Sequence, residues 1–273
     1  MERPARVLMI GAHPDDCDFR AGATSALWRQ AGMAVKMISA TNGDAGHHEQ
    51  GGGALARRRA AEAKAAGEVI DVEYECLDFH DGELVPGIVE RKAIIRAIRA
   101  FAPDLLLTHR PGDYHADHRY TSQLVQDASF LLTVPNLCPD VPALRQMPVI
   151  MHFQDGFSKP EPFNPDVVVG VDATIDLKGA MADRHASQFY EWLPWLDGYT
   201  VPESAEERLA WSRQRMAGMA ERCADRFRDK LRELYGEVHS AAIRYAEAFA
   251  VTEYGAPLTD EKRAWLFPFV HRD

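Results

Sequence analysis

Two clusters of histidine and aspartate residues stand out in the sequence because their side chains could bind a metal ion. The first is Ala12-His13-Pro14-Asp15-Asp16, and the second, far along the chain, is Asp113-Tyr114-His115-Ala116-Asp117-His118. Catalytic zinc takes three nitrogen or oxygen ligands from the protein and leaves a further position for water. His13, Asp16 and His118 fit that count, so we predict that they form a mononuclear zinc site with one ion per chain.

Each cluster also has a simpler interpretation as local structure. His-Pro-Asp is typical of a turn in which proline fixes the backbone and Asp15 caps the next helix. His115 and His118 could be an exposed loop residue and a helix N-terminal residue with no metal nearby. The metal site is favoured because both clusters follow apolar strands of one predicted sheet and contain more acids and imidazoles than capping requires.

The elements that must position these clusters alternate between strand and helix. Short apolar runs predict strands at 7–10, 35–40, 72–79 and 105–108, and segments of helical period predict helices at about 21–31, 54–68 and 89–101. Parallel strands need helical crossovers, and in the sequence they appear as continuous apolar runs because both faces of the sheet are buried. The sequence therefore predicts an α/β fold with a Rossmann-like, mostly parallel sheet and helices on both faces. Open sheets of this kind bind ligands at the carboxyl ends of their strands, where both clusters fall.

The last third of the chain reads differently. The apolar runs 149–153 and 167–171 could extend the sheet, whereas from about Ile175 the pattern is mostly helical, with Pro194 and Pro202 marking a loop between two helical stretches. We find no linker and predict one domain over residues 1–273 with a helical C-terminal extension packed on the α/β part.

Three aromatic residues surround Pro194, namely Trp192, Trp195 and Tyr199. Aromatic rings can pack in a core, stack on the face of a sugar or lie at a subunit interface. The sequence leaves these roles open, and with them whether the chain forms a homo-oligomer.

Composition restricts the class of partner. A chain of 273 residues with 46% hydrophobic content can bury a sizeable core, and its formal net charge of −10 argues against a nucleic-acid-binding face. The basic run 57–59 is better explained as the start of a helix. We expect no signal peptide and no membrane span, because no apolar run approaches about 18 residues. The four cysteines lie far apart, so a cytoplasmic protein with reduced thiols is expected.

The motifs resemble those of a known family. Ala12-His13-Pro14-Asp15-Asp16, followed at a distance by the His-x-Asp-His of residues 115–118, is similar to the PIG-L or LmbE-like N-deacetylases. The resemblance extends to Arg59-Ala60-Ala61-Glu62, to Asp81-Gly82 and to the glycine-containing turn 41–46, and it covers about residues 6–130. Residue 116 is alanine where the family commonly has proline. That difference loosens the backbone without removing a ligand.

The resemblance implies a reaction and a set of roles. Members of the family remove acetyl groups from N-acetylglucosaminyl compounds, which implies a zinc-dependent hydrolase acting on an N-acyl sugar or its conjugate. By analogy Asp16 is the ligand and its neighbour Asp15 is the general base that the reaction needs close to the water. Arg59 and Asp81 fall on the substrate-contacting positions of the family, although Arg59 could equally be an ordinary surface residue of a helix. We also assign Tyr114 to substrate binding.

Two further residues receive catalytic roles. His115 is free to stabilise the oxyanion or to protonate the leaving amine. Asp117 could hold the His115 ring in one orientation, or it could cap a helix beginning at His118. Both roles could coexist.

Three other functions compete with this one. A dinucleotide-binding domain fits poorly, since the first turn has two acids instead of a glycine-rich phosphate loop. A non-catalytic sugar-binding module would not need a general base at Asp15. A zinc phosphoesterase usually has a second metal or more positive charge near the phosphate.

Overall fold

A seven-stranded sheet organises the part of the chain that this computed structural model describes, residues 3–270. Its strands are β1 (Arg6–Gly11), β2 (Ala34–Thr41), β3 (Glu73–Phe79), β4 (Leu105–Thr108), β5 (Val149–Phe153), β6 (Val167–Gly170) and β7 (Ala246–Val251). The strand order is β3-β2-β1-β4-β5-β7-β6, and β7 alone runs antiparallel to its two neighbours. The predicted mostly parallel sheet is confirmed.

The helices lie on both faces of this sheet. They are α1 (Asp16–Gln30), α2 (Gly52–Glu68), α3 (Ile88–Phe101), α4 (Ala116–Ser129), α5 (Ile175–Arg184), α6 (Leu193–Asp197), α7 (Ala205–Arg226), α8 (Arg228–Ala242) and α9 (Asp260–Leu266), with a π-helix at Ser187–Trp192 and a 3-10 turn at Phe130–Thr133. Side chains of β1 alternate between two cores: Val7 and Met9 belong to one, and Leu8 and Ile10 to the other. All four are fully buried, as a central parallel strand requires. Among these helices none is long and apolar enough to cross a membrane.

Helix α1 begins earlier than the apolar pattern indicates. It starts at Asp16, and the backbone is kinked at Ala21, near which the sequence predicts its start. The first turn carries Asp16 and Asp18, whose side chains are buried. Because these buried residues are aspartates, the pattern of apolar residues does not indicate the first turn of the helix.

The helical extension contains a strand that the sequence pattern does not predict. The mainly helical character after residue 175 is confirmed, but β7 inserts between β5 and β6. Its second residue is the buried Glu247, which interrupts the apolar run. The expected loop between Pro194 and Pro202 is also shorter, because Pro194 lies in the first turn of α6, where proline is tolerated.

Glu247 is held by a set of polar contacts that joins three elements. Its carboxylate accepts hydrogen bonds from the backbone N–H and the hydroxyl of Thr24 in α1, at 2.7 and 2.6 Å. The ammonium of Lys178 in α5 lies 2.6 Å from the same carboxylate, and both side chains are almost fully buried. A buried ion pair of this kind fixes the position of the extension against the sheet.

We predict that Lys178→Ala lowers the free energy of unfolding by about 3–5 kcal/mol, because it leaves the Glu247 carboxylate buried without its counter-charge. Denaturant titration of wild type and variant measures this loss. The matched control is Lys64→Ala, whose partner Glu68 lies on the exposed face of α2. That change is expected to cost no more than about 1 kcal/mol. Equal losses in the two variants would contradict the structural role of the buried pair.

Candidate metal and active site

The loop between β1 and α1 brings Asp16 back against the end of the strand. A Cβ atom on Gly11 would lie 2.7 Å from Cβ of Asp16, so glycine is needed for this close approach. Oδ2 of Asp16 accepts hydrogen bonds from the backbone N–H groups of Ala12 at 3.0 Å and of His13 at 2.8 Å. The carboxylate is thus fixed by its own loop, and it does not act as a helix cap.

The three ligands predicted from the sequence come together at this point. Nε2 of His118, in the first turn of α4, lies 3.2 Å from Nδ1 of His13. Oδ2 of Asp16 lies 3.5 Å from Nδ1 of His13, and Oδ1 of Asp16 lies 3.5 Å from Nε2 of His118. Ligands of a tetrahedral zinc at about 2.1 Å would be about 3.4 Å apart. The donor types and the spacings therefore fit a single zinc ion.

The electrostatics of the cluster also favour a cation. Burial opposes protonation of His13, but the neighbouring carboxylates of Asp117, Asp16 and Asp81 outweigh it and raise the pKa of this imidazole well above its usual value. A site that attracts a proton so strongly attracts positive charge in general. A divalent ion would supply that charge and displace the proton, since histidine binds metal in its neutral form.

Carboxylates also contact the outward-facing nitrogens of both histidines. Oδ2 of Asp113 lies 3.1 Å from Nδ1 of His118, and Oδ2 of Asp117 lies 3.3 Å from Nε2 of His13. Contacts of this kind fix the tautomer and the orientation of a metal-binding ring. Asp117 therefore contacts two histidines: its carboxylate faces His13, and its backbone N–H donates a hydrogen bond to Nδ1 of His115 at 3.2 Å. Helix α4 also begins at Ala116 rather than His118, with His115 as its N-cap.

The histidine at position 109 was not predicted. It follows β4 directly, and its ring stacks on that of His118 with the centroids 4.1 Å apart. Its Nε2 atom lies 3.1 Å from Oδ2 of Asp16. Burial lowers the pKa of His109 to about 4, so the ring is neutral at neutral pH. The rule that sites form at strand ends could have identified it, because it comes immediately after Thr108.

This arrangement allows other ligand sets besides the predicted one. His13, His115 and His118 form one such set, Asp16, His109 and His118 form a second, and a third comprises His13, Asp81 and Asp117. Zinc content of alanine variants at His13, His109, His115 and His118 distinguishes between them.

Asp15 is adjacent to Asp16 but has different surroundings. It occupies the N-cap position of α1, yet its side chain makes no capping hydrogen bond. Its carboxylate instead lies 3.2 Å from the guanidinium of Arg59. Burial raises the pKa of Asp15, while the Arg59 charge acts in the opposite direction. The negative charge of Asp15 is thus offset by Arg59, whereas the carboxylate of Asp16 is held by backbone N–H groups.

Arg59 is a buried residue and not a surface one. It extends from α2 and lies 3.5 Å from Asp81 as well as beside Asp15. Gly43, which has a φ of +69°, makes room for it: a Cβ atom there would lie 2.6 Å from the guanidinium. The backbone N–H of Asp81 donates to Asp44, which fixes the loop after β3.

His115 and Tyr114 lie at the entrance to the cluster. The His115 ring meets that of His13 edge to face with centroids 4.6 Å apart. Burial lowers the pKa of His115, and the charges of His13 and His118 lower it further. Tyr114 is 74% exposed, and its ring centroid is 6.1 Å from that of His118.

A cavity of about 470 Å³ joins these residues. Every site residue predicted from the sequence lines it except Asp117, which lies behind His13. The lining also includes apolar residues that were given no defined role, namely Phe19, Trp192, Leu193 and Leu196. A volume of this size suits a small-molecule ligand.

Comparisons with known proteins identify the family to which the chain belongs. The model of the family "PIG-L: GlcNAc-PI de-N-acetylase" matches residues 8–129, a range that includes both histidine and aspartate clusters. The diacetylchitobiose deacetylase of Thermococcus kodakarensis is 30% identical over 202 residues, which are 70% of this chain and 74% of the relative.

Solved structures support the fold. An N,N'-diacetylchitobiose deacetylase from Pyrococcus horikoshii superposes with a TM-score of 0.70 at 21% identity, covering 92% of this chain and 84% of the other. The 4-carboxy-2-hydroxymuconate hydratase of Pseudomonas putida KT2440 has a TM-score of 0.72 at 20% identity, covering 94% and 98%. From the family match and the deacetylase relative together, this chain belongs to the PIG-L family of LmbE-like deacetylases.

Proposed function

We propose that this protein is a zinc-dependent hydrolase that removes an acetyl group from the amide nitrogen of an N-acetylglucosamine-like sugar or its conjugate. One observation carries the proposal. A cluster with zinc-ligand spacing, formed by His13, Asp16 and His118, shares a cavity with Asp15, a carboxylate left outside the cluster. Membership of a deacetylase family supports the choice of an amide as the bond that breaks.

The roles of the residues follow from their positions. His13, Asp16 and His118 would hold the zinc ion, which would supply Lewis-acid chemistry by making water more acidic and polarising an amide carbonyl. Asp15 takes the proton of the attacking water, since burial keeps its proton affinity above that of an ordinary aspartate. His115, at the cavity entrance, stabilises the oxyanion or delivers a proton to the leaving amine.

Residues outside the three proposed ligands orient the substrate and the histidines. Arg59 and Asp81 line the cavity and are proposed to hold the sugar hydroxyls beside the amide, with Tyr114 at the rim. Asp117 positions His13 through their 3.3 Å contact. The relative that acts on diacetylchitobiose makes an N-acetylated glucosamine the first substrate to test.

The similarity to a hydratase provides an alternative outcome for the assays. A hydratase adds water to a carbon–carbon double bond and releases no amine. Amide hydrolysis releases acetate and amine in equal amounts, so measuring both products distinguishes the two reactions. A sugar-binding module would release neither product, and a phosphoesterase would release phosphate from a sugar phosphate.

Alanine substitutions test the ligand set. His13→Ala and His118→Ala should each lower zinc occupancy strongly, because each removes one of three ligands. His115→Ala should keep the zinc and slow turnover, and His109→Ala should also keep it. Elemental analysis of the four purified variants provides the measurement. Loss of zinc in His115→Ala or His109→Ala, or its retention in His13→Ala or His118→Ala, would assign the ion to a different set.

Asparagine substitutions separate the roles of the two adjacent carboxylates. Asp15→Asn keeps the size of the side chain and should retain zinc while kcat falls about 10²- to 10⁴-fold, the effect of losing a general base. Asp16→Asn should weaken zinc binding itself, so it serves as the matched variant one residue away. Zinc content and kcat are measured on the same preparations. Wild-type turnover in zinc-loaded Asp15→Asn would show that Asp15 is not the general base.

A further inference from the structure

One side of the cavity is apolar although the proposed chemistry requires only polar groups. Trp192, Leu193 and Leu196 line it from the π-helix and α6, and Phe19 lines it from α1. We call these four residues the apolar wall. Leu196 is 57% exposed and the adjacent Trp195 is 59% exposed. Large apolar side chains left in contact with solvent beside a ligand cavity are typical of a binding surface.

The segment that carries this wall is fixed by polar contacts. Glu191 receives two hydrogen bonds from the guanidinium of Arg58, at 2.7 and 2.6 Å, and lies 2.9 Å from Nε2 of His47. The side chain of Gln188 donates to the carbonyl of Gly46 at 2.9 Å. The π-helix is therefore tied to α2 and to the loop after β2. Helices of this type are rare and are frequently found at functional sites.

A stack of rings supports the wall from outside the cavity. Trp192 is stacked on Trp195 with centroids 5.3 Å apart, Trp195 on His48 at 5.1 Å, and His48 on His47 at 4.6 Å. The planes of successive rings are within 18° of parallel. Trp192 is thus held in place before any ligand arrives, which lowers the entropy cost of binding against it.

We propose that the apolar wall binds a hydrophobic substituent of the substrate, so that the preferred substrate is an N-acyl amino sugar carrying an alkyl or aromatic group. The proposal rests on the proposed function for the sugar portion. The cavity is continuous from the metal-ligand cluster to the wall, so one molecule can contact both. The hydrophobic group is either a long N-acyl chain or an aglycone. Each would be stabilised by transfer from water onto the same apolar side chains.

The test compares matched substrates in two arms. The first arm compares the hexyl glycoside of N-acetylglucosamine with the methyl glycoside. The second arm compares the methyl glycoside of N-hexanoylglucosamine with the methyl glycoside of N-acetylglucosamine. We expect kcat/KM to rise about tenfold or more with the hexyl or the hexanoyl group, from burial of several methylene groups. The arm that gains identifies the source of the substituent. No gain in either arm would overturn the proposal.

Variants locate the effect on the wall. Leu196→Ala should reduce the ratio of kcat/KM for the favoured long-chain substrate over its short-chain partner by about fivefold, because it removes part of the contact surface. The matched control is Ile88→Ala, since Ile88 is 63% exposed and lies outside the cavity lining. Its ratio should equal that of wild type. A ratio unchanged in Leu196→Ala, or reduced equally in both variants, would contradict the assignment.

A binding measurement separates this proposal from the proposed function. Calorimetric titration with hexyl and methyl glucosaminide, which lack the acyl group, requires no turnover. Tighter binding of the hexyl compound by wild type than by Leu196→Ala supports the wall even if no amide is cleaved. Amide cleavage without any preference for hexyl or hexanoyl groups would support the proposed function and contradict the binding of a hydrophobic substituent by the apolar wall.

Discussion

The site depends on the separate stabilisation of two adjacent buried carboxylates. Burying a charge is costly unless it is hydrogen-bonded or paired. Asp16 is stabilised by two backbone N–H groups and lies against His118 and His109, whereas Asp15 is paired with Arg59. Because the partners differ, Asp16 can face His13 and His118 while Asp15 remains outside that cluster. The division of roles that we propose for the two residues depends on this difference.

The fold provides those partners from separate parts of the chain. The loop after β1 carries both carboxylates, α2 carries Arg59 across the glycine turn at Gly43, and α4 carries His118. Each contribution comes from the carboxyl end of a strand or from the helix that follows one, as expected for an open α/β sheet. The extension then adds Trp192, Leu193 and Leu196 to the apolar side of the cavity, beside Phe19 of α1.

Much of this architecture could be predicted from the sequence, for identifiable reasons. The strands β1, β4 and β5 are mostly apolar, and β2 and β3 carry apolar residues between polar ones, so the positions of all five were predicted to within about two residues. The same reasoning failed wherever a buried charge replaced an apolar residue, as at Glu247 in β7 and at Asp16 and Asp18 in α1.

The site was predictable to the extent that its residues form local motifs. His13, Asp16 and His118 belong to such motifs and come together, but a lone histidine such as His109 carries no motif of its own. The contact between Asp117 and His13 joins two distant segments, so only the folded chain reveals it. Pairing of this kind depends on tertiary geometry that residue types and spacing do not specify.

The central claim is that one zinc ion at this cluster drives amide cleavage. Titrating zinc into metal-free protein, while acetate and amine released from diacetylchitobiose are recorded, tests it most directly. The account predicts that the two products appear in equal amounts and that activity saturates at one zinc per chain. Full activity in the metal-free protein, or amine release that saturates only at two ions per chain, would contradict it.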